Sequence, residues 1–270
     1  MSELKGKTVL VTGGASGIGR LMGELALKGG ARRLVIWDLN SELLNKTAME
    51  LQSQGFEVLP FQVDVSNNNQ VLSTFNEMKS QIGAIDILIN NAGIIVGKPF
   101  YDHTHEEIDK TISINTSALM HLTKEALGGM ISQKSGHIVN IASAAGLVAN
   151  PKMSVYCGSK WAVIGWSDSL RLELEHDHPG VKVTTVVPYY INTGMFNGVR
   201  SPIIPILKPL PVAQAIIQGI KKDKPFVRLP SIINFLPLVK GLLPLRLFDL
   251  VVGKWLGVYK SMEHFKGRSK

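Results

Sequence analysis

Three residues near the middle of the chain have the types and spacing for proton chemistry. Ser143 is followed thirteen positions later by Tyr156, and four positions after that by Lys160, in the run Tyr156-Cys157-Gly158-Ser159-Lys160. Tyrosine and lysine four apart on a helix lie side by side on one face. A phenol titrates at about pH 10 in water and is a poor base at neutral pH, but a neighbouring ammonium favours the phenolate and lowers that value. An ordinary helix with a surface Tyr/Lys pair meets the same spacing, so the motif needs company.

Some of that company stands near the N-terminus, in Thr12-Gly13-Gly14-Ala15-Ser16-Gly17-Ile18-Gly19. Glycines allow a tight turn and let the backbone approach a pyrophosphate, whose charge then meets the positive end of a helix. A glycine-rich turn can be purely structural; its position at a first strand-to-helix turn favours the cofactor reading. Asp38 ends the next β-branched run, nineteen residues after Gly19. A carboxylate there accepts hydrogen bonds from a ribose 2′-hydroxyl and repels a 2′-phosphate, which selects NAD over NADP. It would equally suit the N-terminus of a following helix. Arg20, Arg32 and Arg33 point the other way, toward a phosphorylated cofactor, and are more simply placed on an outer helix face and in the turn into the second strand.

Elements that could position these residues alternate along the chain. Strands are expected at 8–11, 34–37, 57–62, 85–89, 137–141 and 181–187, with a last edge strand at 226–229. Helical periodicity follows each of the first six: to Leu27, then 41–54, 67–82, one long helix over Glu106–Gln133, and Val155–Glu175, with a shorter helix at 212–221. Nearly uncharged strands, each followed by a helix-length segment, indicate an α/β fold with a doubly wound parallel sheet buried on both faces. Residues 1–229 read as the dinucleotide-binding and catalytic unit, and 230–270 as a C-terminal extension of the same domain. Pro202, Pro205, Pro209 and Pro211 loosen the chain before that extension, and Pro230, Pro237 and Pro244 exclude a long helix within it.

Taken together with Asn90-Asn91-Ala92-Gly93 and Asn115, the glycine turn and the Ser143, Tyr156, Lys160 set resemble the short-chain dehydrogenase/reductases over about residues 7–196. The resemblance implies Tyr156 as general acid/base and Ser143 as a hydrogen-bond partner of the substrate oxygen. Lys160 would bind the nicotinamide ribose and lower the Tyr156 pKa, and Asn115 would hold a water in a proton relay. It implies a nucleotide site built from Gly13, Ser16, Gly17, Ile18, Gly19 and Asp38, with Asp64 and Val65 at the adenine and Asn91, Ala92 and Gly93 on the adenine-ribose side. Pro188, Ile191 and Thr193 would stand at the nicotinamide. Where the family often has Pro-Gly after the sixth strand, this chain has Pro188-Tyr189; the aromatic and methionine cluster Tyr189, Tyr190, Met195 and Phe196 is expected as a substrate wall, with core packing as the alternative. This variant, Trp37-Asp38 and the tail resemble a subgroup holding retinol dehydrogenases and lipid-droplet 17β-hydroxysteroid dehydrogenases. It implies a homodimer or homotetramer, built on the helices Glu106–Gln133 and Val155–Glu175.

Composition narrows the classes further. With 270 residues, 45% of them hydrophobic and 19% charged, the chain is a globular domain with a sizeable core. One cysteine, Cys157, excludes an internal disulfide and a thiolate metal cage, and His103 with His105 lacks a third ligand nearby, so no metal is expected. The net charge of +8 is not spread as in a nucleic-acid binder. Cations and acids cancel over residues 1–220, and the excess lies in 221–270, among Leu, Ile, Val and Phe. That tail suits a substrate lid, an anionic membrane surface, or both. No targeting peptide or spanning helix is read, since the first strand begins within eight residues and the longest uncharged apolar stretch is 229–239, so a cytoplasmic, peripherally membrane-bound protein is expected. The expected activity is NAD-dependent interconversion of a hydroxyl and a carbonyl on a bulky apolar molecule such as a steroid. A retinoid, a long-chain alcohol or a keto-lipid is an alternative substrate, and a non-catalytic nucleotide-binding or lipid-surface protein an alternative class.

Overall fold

A computed structural model of the protein describes residues 2–201 and 204–267. Pro202, one of the prolines named above, and the tail cations Arg268 and Lys270 lie outside those residues. The β-branched runs form seven strands: β1 (Thr8–Thr12), β2 (Arg33–Asp38), β3 (Val58–Gln62), β4 (Ile87–Asn90), β5 (Gly136–Ile141), β6 (Val181–Pro188) and β7 (Phe226–Leu229). They make one sheet, parallel throughout, in the order β3-β2-β1-β4-β5-β6-β7. The order reverses between β1 and β4, and at such a switch point the connections leave to opposite sides and open a crevice at the carboxyl ends of the strands.

Alternation along each strand explains the two layers of helix. In β1, Val9 and Val11 enter the core beneath α1 (Gly17–Lys28), α2 (Ser41–Gln52) and α7 (Pro209–Lys221). Leu10 points the other way, into the core beneath α3 (Asn68–Ile82), α5 (Ala118–Ser132) and α6 (Ser154–Asp177). Both faces are covered, so the strands carry no polar side.

The long helix expected over Glu106–Gln133 is corrected. It is α4 (His105–Ile112), a π-helical turn at Ser113–Ser117, and α5. Thr104 starts it with a capping box, its hydroxyl accepting from Glu107 N and the Glu107 carboxylate accepting from Thr104 N. The π turn widens the helix where Asn115 must face inward, and apolar positions on either side keep a helical period. The extension breaks at its prolines as expected, into a 3₁₀ turn at Ser231–Phe235, α8 (Leu236–Leu242), α9 (Leu245–Phe248) and a π-helical turn at Asp249–Trp255. Among the described residues no helix is long and apolar enough to cross a membrane.

At the opposite edge of the sheet from the crevice, His137 is 1% exposed and holds the chain's beginning against β6. Its imidazole is hydrogen-bonded to Ser2 Oγ at 2.9 Å and Thr184 Oγ1 at 2.8 Å, while Ser2 donates to the Asp223 carboxylate. Burial pushes this imidazole down to about 4, with the Asp223 carboxylate opposing. An unfolded chain takes up that proton below about pH 6.5 and the folded chain refuses it until about pH 4, so stability falls as pH drops through this window, by up to about 3 kcal/mol. His137→Gln should flatten the loss between those pH values in denaturant titrations. An equally steep acid limb in the variant would assign it to carboxylates.

Candidate active site

The glycine turn is held by a brace across the switch point. Thr12 Oγ1 accepts from Asn91 N and Ala92 N, both at 3.0 Å, and Asn91 Nδ2 donates to Thr12 O at 2.9 Å and Gly13 O at 3.2 Å. Gly13 (φ 62) and Gly17 (φ 57) are left-handed, a conformation that costs a side chain energy. A Cβ on Gly19 would stand 2.2 Å from Gly13 O. Asn40, Asn67 and Thr104 cap α2, α3 and α4 with their side chains, but Ser16 does not cap α1. The first N–H groups of α1 therefore lie without a side-chain acceptor at the wall that Ser16, Gly17 and Ile18 present. That cradle fits a pyrophosphate.

From it a cleft of about 500 Å³ runs both ways along the carboxyl ends of the strands. Toward β2 it is lined by Gly13, Asp38, Asp64 and Val65. Asp38 is fixed by two backbone donors, Ala15 N to Oδ2 and Asn40 N to Oδ1, each at 3.0 Å. Asn40, not Asp38, caps α2, so the charge is not needed for that helix. Arg20 is paired with Glu50 at 2.5 Å and Arg33 with Glu57, Arg32 is exposed, and none of the three lines the cleft. Asp64 Oδ1 accepts from Ser66 N and Ser66 Oγ, which pins the loop it stands on.

Toward β5 and β6 the cleft is lined by Asn91, Ala92, Gly93, Ser143, Tyr156, Lys160, Pro188, Ile191 and Thr193. A Cβ on Gly17 would lie 3.6 Å from Thr193, so this threonine overhangs the glycine turn. Ser143 leaves β5 in extended conformation and accepts from Ala145 N, while Tyr156 and Lys160 sit in the first two turns of α6. Lys160 Nζ donates to Ile141 O at 2.8 Å and lies 5.8 Å from the centroid of the Tyr156 ring. Burial brings this ammonium down to about 8, which leaves it mostly protonated at neutral pH. The lowered phenol expected from that neighbour is corrected. Burial pushes Tyr156 above its ordinary value, and the Ser143 hydroxyl opposes it without overcoming it.

Three of the expected site residues stand behind the cleft. Gly19 packs under Gly13, and Tyr190 lines a second cavity. Asn115, fully buried in the π turn, donates through Nδ2 to Ile94 O at 2.9 Å and Ser159 Oγ at 3.1 Å, and accepts from Ile94 N at 2.8 Å. Both amide hydrogens are thus engaged. The missing side chain of Gly93 leaves room beside Asn115 Oδ1 and Lys160 Nζ, 3.3 and 3.8 Å from where its Cβ would be. Ser159, which no sequence signal singled out, donates to Tyr156 O at 2.7 Å and ties the π turn to α6. His103 Nδ1 lies 3.1 Å from Pro99 O, His105 opens α4, and Cys157 is buried on α6.

The second cavity, about 230 Å³, adjoins the first through the shared residues Ser143, Tyr189 and Phe196. Its floor comes from the loops after β5 and β6, its roof from the extension: Ile233, Leu236, Val239, Val252 and Val258. Tyr189 and Tyr190 pack edge to face, and Phe196 packs against both Tyr190 and Tyr156. Met195 lines the nucleotide cleft. Inside, Asn150 Nδ2 donates to Tyr190 Oη at 3.0 Å and Ser261 Oγ at 2.7 Å, a tie between the loop after β5 and the extension.

Residues 7–203 match the model of the short chain dehydrogenase family. The chain is 34% identical to epidermal retinol dehydrogenase 2 of Mus musculus, over 99% of this chain and 88% of the relative. It is 36% identical to estradiol 17-beta-dehydrogenase 11 of Homo sapiens, over 93% and 87%. A short chain dehydrogenase/reductase from Burkholderia phymatum, solved in complex with NAD, superposes with a TM-score of 0.81 at 25% identity, over 94% of this chain and 97% of that one. A metagenomic short-chain oxidoreductase solved with NADP gives 0.72 at 28% identity, over 84% and 96%.

The clash at Gly19 makes its own prediction. A methyl group there must displace backbone, so Gly19→Ala should cost about 1–3 kcal/mol of stability by thermal unfolding. Dinucleotide binding should weaken by about tenfold or more in calorimetry, as the turn opens. An unchanged affinity would remove the turn from the nucleotide site.

Proposed function

The chain belongs to the short chain dehydrogenase family, and from that premise we propose that it is an NAD-dependent oxidoreductase interconverting a hydroxyl and a carbonyl on a bulky apolar substrate. One observation carries the reading: Ser143 and Tyr189 line both the nucleotide cleft and the apolar cavity, beside Tyr156 and Lys160. A substrate carbon seated there faces the nicotinamide end of the cleft from an apolar chamber. The bound nicotinamide supplies the hydride acceptor or donor. Ser143 orients the substrate oxygen by hydrogen bonding, and Tyr156 Oη gives or takes its proton. Lys160 holds the nicotinamide ribose, and the space at Gly93 between Asn115 Oδ1 and Lys160 Nζ suits a relay water. A steroid fits the named activity of one relative and a retinoid that of another; a long-chain alcohol or keto-lipid satisfies the same lining.

The NAD preference is supported by Asp38, which stands in the cleft, while Arg20 and Arg33 are bound to carboxylates elsewhere. Residues 230–270 act as the lid of the substrate chamber in a domain whose residues 1–229 carry nucleotide and catalysis. We read the enzyme as a cytoplasmic homodimer or homotetramer, peripheral to a membrane through that extension. Exposed Trp161 and Leu172, with open backbone at Gly158 and Gly165, give α6 a surface for close helix contact.

Tyr156→Phe should lower turnover by about 10²–10⁴-fold while NAD affinity in calorimetry stays near wild type, because the hydroxyl moves the proton and the ring only packs. Since burial favours the protonated phenol, alcohol oxidation should accelerate with rising pH, and carbonyl reduction should be flat through neutrality. Wild-type rates in the variant would overturn the assignment.

Asp38→Ala should raise kcat/KM with NADP relative to NAD by about tenfold or more, through relief of repulsion between the carboxylate and a 2′-phosphate. A wild-type enzyme already faster with NADP would reverse the preference.

A further inference from the structure

The extension is folded so that its apolar residues face two ways. Ile233, Leu236, Val239 and Phe248 turn inward. On the outside, Leu242 is 72% exposed, Leu245 69%, Trp255 72%, Phe235 63% and Leu238 59%. Soluble proteins scatter single exposed apolar side chains; so many large ones within one short extension mark a contact surface. The exposed cations Lys240, Arg246, Lys254 and Lys260 are interleaved with it, whereas the acid in the same stretch, Asp249, is half-buried and accepts a hydrogen bond from Tyr259.

Three residues belong to both surfaces. Ile232, Phe235 and Leu256 line the apolar cavity, and they are also 58%, 63% and 38% exposed to solvent. The chamber is therefore walled from its outer apolar face by single side chains at this point. Lys240 holds α8 beside it, donating to Leu147 O at 3.0 Å and lying 4.2 Å from the Trp161 ring centroid.

We propose that this outer face rests on an anionic lipid surface and that Ile232, Phe235 and Leu256 frame a portal through which an apolar substrate passes from lipid into the chamber without crossing water. The inference rests on the catalytic reading above and adds the route of entry. Apolar side chains inserted at the headgroup boundary, with ammonium and guanidinium groups on their flanks, match a negatively charged lipid leaflet. A second copy of the same face would bring like charges together, which disfavours self-pairing.

The test uses the full chain with phosphatidylcholine vesicles, with and without phosphatidylserine. Two alcohols are compared: a naphthalene-labelled long-chain alcohol confined to the vesicles and a short water-soluble secondary alcohol. Leu242→Glu/Leu245→Glu changes two exposed positions that line neither cavity. We expect the wild type to float with anionic vesicles, the double variant to remain in solution, and its rate on the vesicle-borne alcohol to fall at least tenfold with the short alcohol unaffected. Naphthalene emission should report transfer from vesicle to protein, slowed by the same factor. A wild type that ignores anionic vesicles overturns the proposal. So does a variant that no longer floats yet takes up the vesicle-borne alcohol at the wild-type rate. If neither alcohol is oxidised, the catalytic reading fails by itself, and the emission transfer still decides whether the portal exists.

Discussion

Four hydrogen bonds, three to Thr12 and one to Gly13 O, from the Asn91-Ala92 backbone and side chain hold the rest of the site in place. They cross the point where β1 and β4 part company, so they close the gap that the reversal of strand order opens. Both partners use several groups: the threonine hydroxyl accepts twice, and the asparagine amide donates twice. The glycine turn cannot drift from β4 while these bonds stand, and the loop after β4 carries Gly93, whose bareness leaves room beside Lys160. The glycine cradle and the space beside Lys160 are thus referred to one fixed hinge of backbone, within a sheet buried on both faces.

From that hinge a second buried polar chain reaches α6. Asn115 grips both backbone groups of Ile94 and the hydroxyl of Ser159, and Ser159 in turn grips Tyr156 O. Each of these groups is satisfied inside a dry core, where an unpaired polar atom would be costly. The arrangement needs Asn115 to face inward from a widened turn, and the π segment supplies that at the cost of helical regularity. Lys160 is buried between this polar chain and the cleft, tied to Ile141 O. Burial lowers the Lys160 ammonium without discharging it at neutral pH and keeps the Tyr156 proton in place, so the pair behaves differently from a Tyr/Lys pair on a wet helix face.

Much of this was legible in the residues. Alternating β-branched runs and helical periods specify a parallel sheet, because only a sheet covered on both sides tolerates strands so free of charge. Glycine spacing and the Ser143, Tyr156, Lys160 intervals mark the cleft, since each reports a local backbone demand. What stayed hidden depends on depth or distance. The direction of the Tyr156 shift follows from burial, which spacing along a helix does not encode. The π turn leaves the apolar period intact on both sides and so leaves no trace. Ser159 and the tie of Asn150 to Ser261 join residues far apart in the chain. Prolines announce where the extension breaks, but which of its faces turns inward is decided by the cavity beneath it.

That tie has company at the chain's end. Arg200 N donates to Ser261 O and Lys266 N to Asn197 O, and Phe265 lies where a side chain on Gly97 would have to be. A side chain on Gly198 would likewise meet His264 O. The extension is therefore keyed into the body of the protein at glycines that lie outside it, much as a drawer is keyed to its runners. Exchanging extensions between relatives to change their substrates would not be a modular operation. The graft would have to bring matching residues at 97, 150 and 198, and inheritance of a new lid would be coupled to changes in loops more than fifty residues away.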